Sequence, residues 1–143
     1  MKILIIDDED YKYKTILNTL NKIIENPNIV RAKSRKSALV TLINNNDNFN
    51  LIICDNYLPM FDNDLVNIKP LAKLIVTDIR IRLSLNTPIC VCSSDEVENC
   101  NYDYFIKFDS FTSLEQQLKL IINDIEEKEI KNLVKTLSTK NRT

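Results

Sequence analysis

Leu51-Ile52-Ile53-Cys54-Asp55-Asn56-Tyr57-Leu58-Pro59-Met60-Phe61-Asp62-Asn63 is an apolar run that stops at a carboxylate and gives way to a proline-containing loop. A short apolar stretch bounded by polar segments fits a strand buried on both faces of a parallel sheet. In such sheets the chemistry lies beyond the carboxyl ends of the strands. Asp55 stands at that position.

Outward from this stretch, the same pattern recurs. Lys2 to Ile6 reads as a strand that ends in Asp7-Asp8-Glu9-Asp10. Residues from about Asp10 to Glu25 have helical spacing, with Ile16, Leu17, Leu20, Ile23 and Ile24 as the apolar stripe. Asn26-Pro27-Asn28 breaks that helix, and Ile29 to Ala32 is a second strand. Ser34 is placed to cap a helix carrying Ala38, Leu39, Leu42 and Ile43. The third strand is Leu51 to Cys54.

Asp62 to Lys69 reads as an irregular or short helical piece, and a helix is expected from about Pro70 to Leu83, since proline is tolerated in a first turn. Ile89 to Cys92 is a fourth strand ending at Ser93, and Tyr102 to Ile106 a fifth ending at Lys107. Thr112 and Glu115 have capping-box spacing at the start of a last helix. Leu114, Leu118, Ile121, Ile122 and Ile125 form its stripe, and Ile130, Leu133, Val134 and Leu137 extend it to about residue 138. Strands alternating with helices predict a doubly wound α/β sheet, in one domain spanning residues 1–143 with its core in about 2–125.

The 143 residues are 44% hydrophobic and 27% charged, enough to fold around a core. The net charge of -1 supplies no basic field for nucleic acid or for an anionic membrane surface. The 36 residues after Lys107 leave no room for a DNA-binding domain. No apolar run reaches the roughly 18 residues of a membrane span. The apolar stretch after Met1 is too short for a signal-peptide core, so a cytoplasmic location is expected. Cys54, Cys90, Cys92 and Cys100 contain no Cys-x-x-Cys and the chain has no histidine, which argues against zinc. Glycine is absent, so positions needing positive φ must fall to other residues, with Asn or Asp the least costly.

Strand ends carry the chemistry: Asp7 and Asp8, Asp55, Ser93 and Lys107. Three neighbouring carboxylates repel one another, and a hard cation such as Mg²⁺ relieves this with carboxylates, waters and phosphate oxygens. Phosphoryl transfer needs mainly positioning and electrostatic stabilisation. Asp55, alone on its strand, is the natural nucleophile. Lys107 offers a positive charge to a phosphate oxygen, and Ser93 a hydroxyl to another. Taken singly, each has a plainer role: a helix cap for Asp7 or Asp8, a turn for Ser93, a solvated charge for Lys107, packing for Tyr104.

In this order, the residues from Lys2 to about Ile125 resemble the receiver domains of two-component response regulators. An acidic pair follows the first strand, and Asp55 is followed four residues later by Pro59. Phe61-Asp62-Asn63 stands where the family has Met-Asp-Gly, with Asn63 suited to positive φ. Pro88 opens the fourth strand, Ser93 matches the family's Ser/Thr, and Tyr104 precedes Lys107 by three residues as the switch aromatic does. The resemblance implies a flavodoxin-like five-stranded parallel sheet of order 2-1-3-4-5. It implies a phosphoacceptor domain rather than a turnover enzyme, with Asp55 phosphorylated from a phosphohistidine on a histidine kinase or histidine phosphotransfer protein. It implies Mg²⁺ bound by Asp8, Asp55 and the Tyr57 backbone carbonyl, with Asp7 assisting through water. Ser93 and Tyr104 would move together on phosphorylation, acting on a downstream protein target.

The sequence departs from the family at two places. Phe108 follows Lys107 where the family has a cis proline, so this bond is either trans with a rearranged loop or cis and strained. Thirteen residues between Ser93 and Lys107 leave the fourth helix truncated or absent, which alters the usual output face. The alternative reading is therefore a receiver-fold interaction module working with little or no phosphorylation. A phosphatase with Asp8 as nucleophile and Asp10 as acid is disfavoured, because no threonine follows and Asp55 is left without a role. The apolar positions beyond Ile125 would serve a homodimer through the last helix, a further module, or a solvated helix end.

Overall fold

The computed structural model describes residues 1–45, 48–64, 66–109 and 113–141. Five parallel strands form the sheet: β1 (Lys2–Ile6), β2 (Asn28–Ala32), β3 (Leu51–Cys54), β6 (Ile89–Ser93) and β7 (Tyr104–Lys107). Their order is β2-β1-β3-β6-β7, which is the 2-1-3-4-5 arrangement when only the sheet's own strands are counted. The central strands β3 and β6 are buried along their whole length, and β1 along all but its first residue. Their near-continuous Ile, Leu, Val and Cys content is what burial on two faces requires.

Period-two alternation divides these side chains between two cores. Ile3, Ile5, Leu51, Ile53, Cys90 and Cys92 pack against α1 (Asp10–Ile23) and α4 (Leu114–Asn141), through Ile16, Leu20, Leu118, Ile121, Ile122 and Ile125. Leu4, Ile6, Ile52, Cys54 and Ile89 pack on the other face against α2 (Arg35–Asn45) and α3 (Ala72–Thr77), through Ala38, Leu42, Ala72, Ile75 and Val76. Each fully buried Leu or Ile contributes about 1.5–3 kcal/mol.

Ser34 caps α2 as expected: its Oγ accepts the Ser37 N–H at 3.1 Å, and Ser37 Oγ accepts the Ser34 N–H at 3.0 Å. Thr112 of the expected second cap lies outside the described residues. The stretch after Asp55 forms a small antiparallel pair, β4 (Tyr57–Leu58) with β5 (Lys69–Pro70), which the sequence reading did not foresee. Pro70 therefore precedes the helix instead of opening it, and α3 widens into a π turn over Asp78–Arg82. Asp78 is fully buried there and pairs with Arg35 at 2.8 Å and Arg82 at 3.1 Å.

No helix lies between β6 and β7. Arg80 holds that segment instead. Its guanidinium donates to the carbonyls of Leu85, Thr87 and Asn101 and to Asp103 Oδ2 at 2.7–3.3 Å. Asp103 Oδ2 also accepts the Ile89 N–H at 2.9 Å.

Among the described residues, positive φ falls at Asn26 (49°), Ser84 (52°) and Asn99 (52°). Asn63 is not among them, so the expected left-handed Asn63 is corrected. Ser84 is used because the π turn ends there with no glycine to take the left-handed position. Among the described residues no peptide bond is cis, so Lys107–Phe108 is trans. The 28 residues of α4 run about 42 Å, well past its last core contact at Ile125. Among the described residues, no helix is long and apolar enough to cross a membrane.

Candidate functional site

Strand register sets the site. Ile6 pairs with Cys54, and Cys54 with Val91, so the ends of β1, β3 and β6 lie nearly level. The ladder continues into the acids: Asp7 N–H donates to Ala32 O and Asp55 N–H to Ile6 O, each at 2.9 Å. Two carboxylates thus leave adjacent strands at one edge. Asp8 follows, and Asp7, Asp8 and Asp55 each present a carboxylate oxygen within 4.8 Å of the others.

The ammonium in this cluster belongs to Lys12. Its Nζ donates to Asp55 Oδ1 at 2.8 Å and to the Cys92 carbonyl at 2.5 Å, and lies 3.4 Å from Asp7 Oδ2. It also sits 5.3 Å from the centre of the Phe108 ring, within cation–π range. Lys12 is only 4% exposed. Burial pulls its ammonium toward neutrality, but the carboxylates of Asp7 and Asp55 outweigh this and hold it above the ordinary lysine value.

Burial favours the neutral form of the acids too, which for them means a raised value. It raises Asp7 to about 6, against the pull of Lys12, while the charge of Asp55 adds to the rise. Asp8 is also raised, chiefly by burial. Asp7 Oδ1 accepts the Glu9 N–H at 3.0 Å, which turns the chain into α1. Its other oxygen, Oδ2, is buried and has no hydrogen-bond partner among the described residues. When all are ionised, three carboxylates face one ammonium and two negative charges stay uncompensated. An all-oxygen donor set with that charge suits a hard divalent cation.

A cavity of about 360 Å³ opens over these groups, lined by Asp8, Glu9, Lys12, Asp55, Tyr57, Ile68, Ser94 and Phe108. Tyr57 closes one side, its hydroxyl donating to Asp95 Oδ2 at 2.9 Å. Asn56 N–H donates to Asp55 Oδ1 at 2.7 Å, so the bonds to this carboxylate among the described residues all fall on one oxygen.

The other expected residues are less gathered. Ser93 lies fully buried at the end of β6, and among the described residues its Oγ has no hydrogen-bond partner. Lys107, opposite Ser93 in the register, is exposed, and among the described residues it makes no ion pair and does not line the cavity. Tyr104 is half-buried on β7 with its hydroxyl donating to Asp124 Oδ2 of α4, and Lys128 Nζ lies 3.4 Å from that hydroxyl. Ser93 and Tyr104 therefore sit on neighbouring strands without a hydrogen bond between them.

Lys12 was missed by sequence reasoning, although a signal existed. It stands four residues before Ile16 and eight before Leu20, and these three are the buried residues of α1. A lysine in the apolar stripe of a helix that starts beside an acidic strand end must find a buried anion.

The fold is similar to solved structures of response regulators. It matches a response regulator receiver domain protein from Clostridium thermocellum with TM-score 0.67 and 18% identity, over 90% of this chain and 97% of that one. It matches the phosphorylated cyanobacterial phytochrome response regulator RcpA with TM-score 0.62 and 20% identity, over 88% and 91%. It matches the Mn(2+)-bound form of response regulator Rcp1 with TM-score 0.63 and 15% identity, over 84% and 88%. No protein-family model matches the sequence, and no curated protein matches it. The chain thus has the fold of receiver domains, at identities that speak for the fold alone.

Proposed function

We propose that this chain is a phosphoacceptor receiver in which Asp55 takes a phosphoryl group from a phosphohistidine on a histidine kinase or histidine phosphotransfer protein. One observation carries the reading: the carboxylates of Asp7, Asp8 and Asp55 converge within 4.8 Å at the carboxyl edge of a parallel sheet. An open cavity lies over them. An oxygen of Asp55 attacks phosphorus, an O–P bond forms, and the P–N bond breaks with its electron pair returning to the imidazole nitrogen. Mg²⁺, held by Asp8, Asp55 and the Tyr57 carbonyl with Asp7 beside it, would supply charge neutralisation at the phosphoryl oxygens. Asp55 is fixed for attack by its place one residue beyond β3 and by the Asn56 N–H on Oδ1.

Ser93 offers a buried hydroxyl with no partner among the described residues, a donor suited to an oxygen that arrives only with the phosphoryl group. Its engagement, coupled to Tyr104 through the adjacent strand, is the proposed switch. Downstream recognition would differ from that of ordinary receivers, since the Arg80-clamped segment replaces a helix on that face. A cytoplasmic location accords with this reading.

One observation favours the second reading, an interaction module working with little phosphorylation. Lys12 already supplies Asp55 with a buried counter-charge, and Lys107 stands exposed. Incubation with acetyl phosphate and Mg²⁺, followed by intact-mass measurement, separates the two. A phosphoryl adduct lost in Asp55→Asn supports the receiver. Absence of any adduct under conditions that label ordinary receivers supports the module.

A further inference from the structure

We infer that the active-site ammonium of this chain is Lys12, supplied from the first helix, and that Lys107 has given up that role. The inference rests on the phosphoacceptor reading and names which cation serves it. Phosphoryl transfer to a carboxylate brings a multiply charged group against a group that is itself an anion. A fixed positive charge touching both lowers that barrier. Lys12 touches the reacting carboxylate directly, at 2.8 Å from Asp55 Oδ1.

Lys12 is positioned by contacts that do not depend on Asp55. Its Nζ donates to the Cys92 carbonyl at 2.5 Å, on the strand that carries Ser93, and lies 3.4 Å from Asp7 Oδ2. Its stem lies in the buried stripe of α1, and Phe108 packs over its head at 5.3 Å. Phe108 stands directly after Lys107, so the ring that covers Lys12 comes from the strand end that bears the displaced lysine. Lys107 itself is exposed and lines no part of the cavity.

With three anchors Lys12 is preorganised, so little reorganisation accompanies the reaction. Oδ1 of Asp55 carries the ammonium and the Asn56 N–H, which leaves Oδ2 as the attacking atom. As the O–P bond forms and the leaving group departs with its electron pair, the carboxylate loses its charge. The ammonium then faces the phosphoryl oxygens. A second link from phosphorylation to the rest of the molecule, beside the Ser93–Tyr104 switch, would therefore run into α1.

The test compares labelling rates with acetyl phosphate and Mg²⁺, in which the P–O bond breaks and acetate leaves. Lys12→Met should slow labelling by about 100-fold, the scale of losing one preorganised charge donor. Lys107→Ala should cost less than the conservative Lys12→Arg, which keeps the charge but not the compact head. Labelling of Lys12→Met at the parental rate, or a larger loss in Lys107→Ala than in Lys12→Met, overturns the inference and leaves the phosphoacceptor reading standing.

Lys12→Met leaves buried carboxylates unpaired, so its cooperative melting is checked first. Should it fail to fold, side-chain ammonium NMR of the unmutated chain decides. Addition of Mg²⁺ and beryllofluoride should shift the Lys12 resonance and leave that of Lys107 in place, and the reverse overturns the assignment. No labelling and no ammonium shift in the unmutated chain would bring down the phosphoacceptor reading, and this inference with it.

Discussion

The hydroxyl of Tyr57 donates to Asp95 Oδ2 at 2.9 Å, joining β4 to the segment after β6 across the mouth of the acidic cavity. In the proposed receiver, this link borders the cavity through which water would approach an acyl phosphate at Asp55. Tyr57→Ala should therefore shorten the phosphoryl lifetime by about 10-fold, or about 1.4 kcal/mol on the barrier. Tyr57→Phe keeps the ring and should give a smaller change. Decay of the phosphorylated species followed by intact mass checks both. Equal lifetimes for all three chains would remove Tyr57 from the gate.

Arg35, partly buried, pairs with the fully buried Asp78 and so binds the start of α2 to the π turn. Asp78 is fully buried, and its other partner Arg82 is largely exposed. Arg35→Ala should destabilise the fold by about 3 kcal/mol, at the low end for a broken buried pair because Arg82 remains. Urea unfolding measures this, and a loss below about 1 kcal/mol would mean that the pair is dispensable.

Arg80 does the work of a missing helix with hydrogen bonds to Leu85, Thr87, Asn101 and Asp103. Arg80→Lys keeps the charge but loses the planar fork. It should raise amide exchange across residues 94–103 and cost about 2 kcal/mol of stability. Unchanged exchange there would show that the segment holds itself.

Asp7 gives the metal-free protein a pH dependence of defined sign. Burial raises its folded value to about 6 from an ordinary 3.8, with Lys12 opposing and the charge of Asp55 reinforcing. Between these values the folded chain binds more protons than the unfolded chain, so this residue's contribution to stability falls as pH rises through that window. In EDTA, the stability of Asp7→Asn relative to the parent should increase from about pH 4 to about pH 7. A difference that is flat or decreases over that range would contradict the buried-charge account.

The strands and their acidic ends were legible because the signals are local. An apolar run such as Leu51 to Cys54 that stops at Asp55 declares both a buried strand and the place where its carboxylate emerges. The lost helix was legible through the resemblance to receiver domains, beside whose usual spacing the residues between Ser93 and Lys107 are too few. Less visible were features that depend on distant contacts. The ladder of β4 and β5 pairs only two residues with two, too few to leave a periodic trace. The π turn arises where Asp78 must stay buried between Arg35 and Arg82, which no local propensity encodes. Lys12 lay hidden because a lysine in a helix is ordinarily a solvated charge. Only its place in line with Ile16 and Leu20 betrayed it.

The most direct test of the central claim is a crystal structure of the chain grown with Mg²⁺ and beryllofluoride. The account predicts beryllium bonded to an oxygen of Asp55, Mg²⁺ among Asp7, Asp8 and Asp55, the Ser93 hydroxyl turned to a fluorine, and Lys12 at the adduct. An Asp55 carboxylate left bare at saturating beryllofluoride, with Lys12 still closed on it and no metal among the three acids, would contradict it.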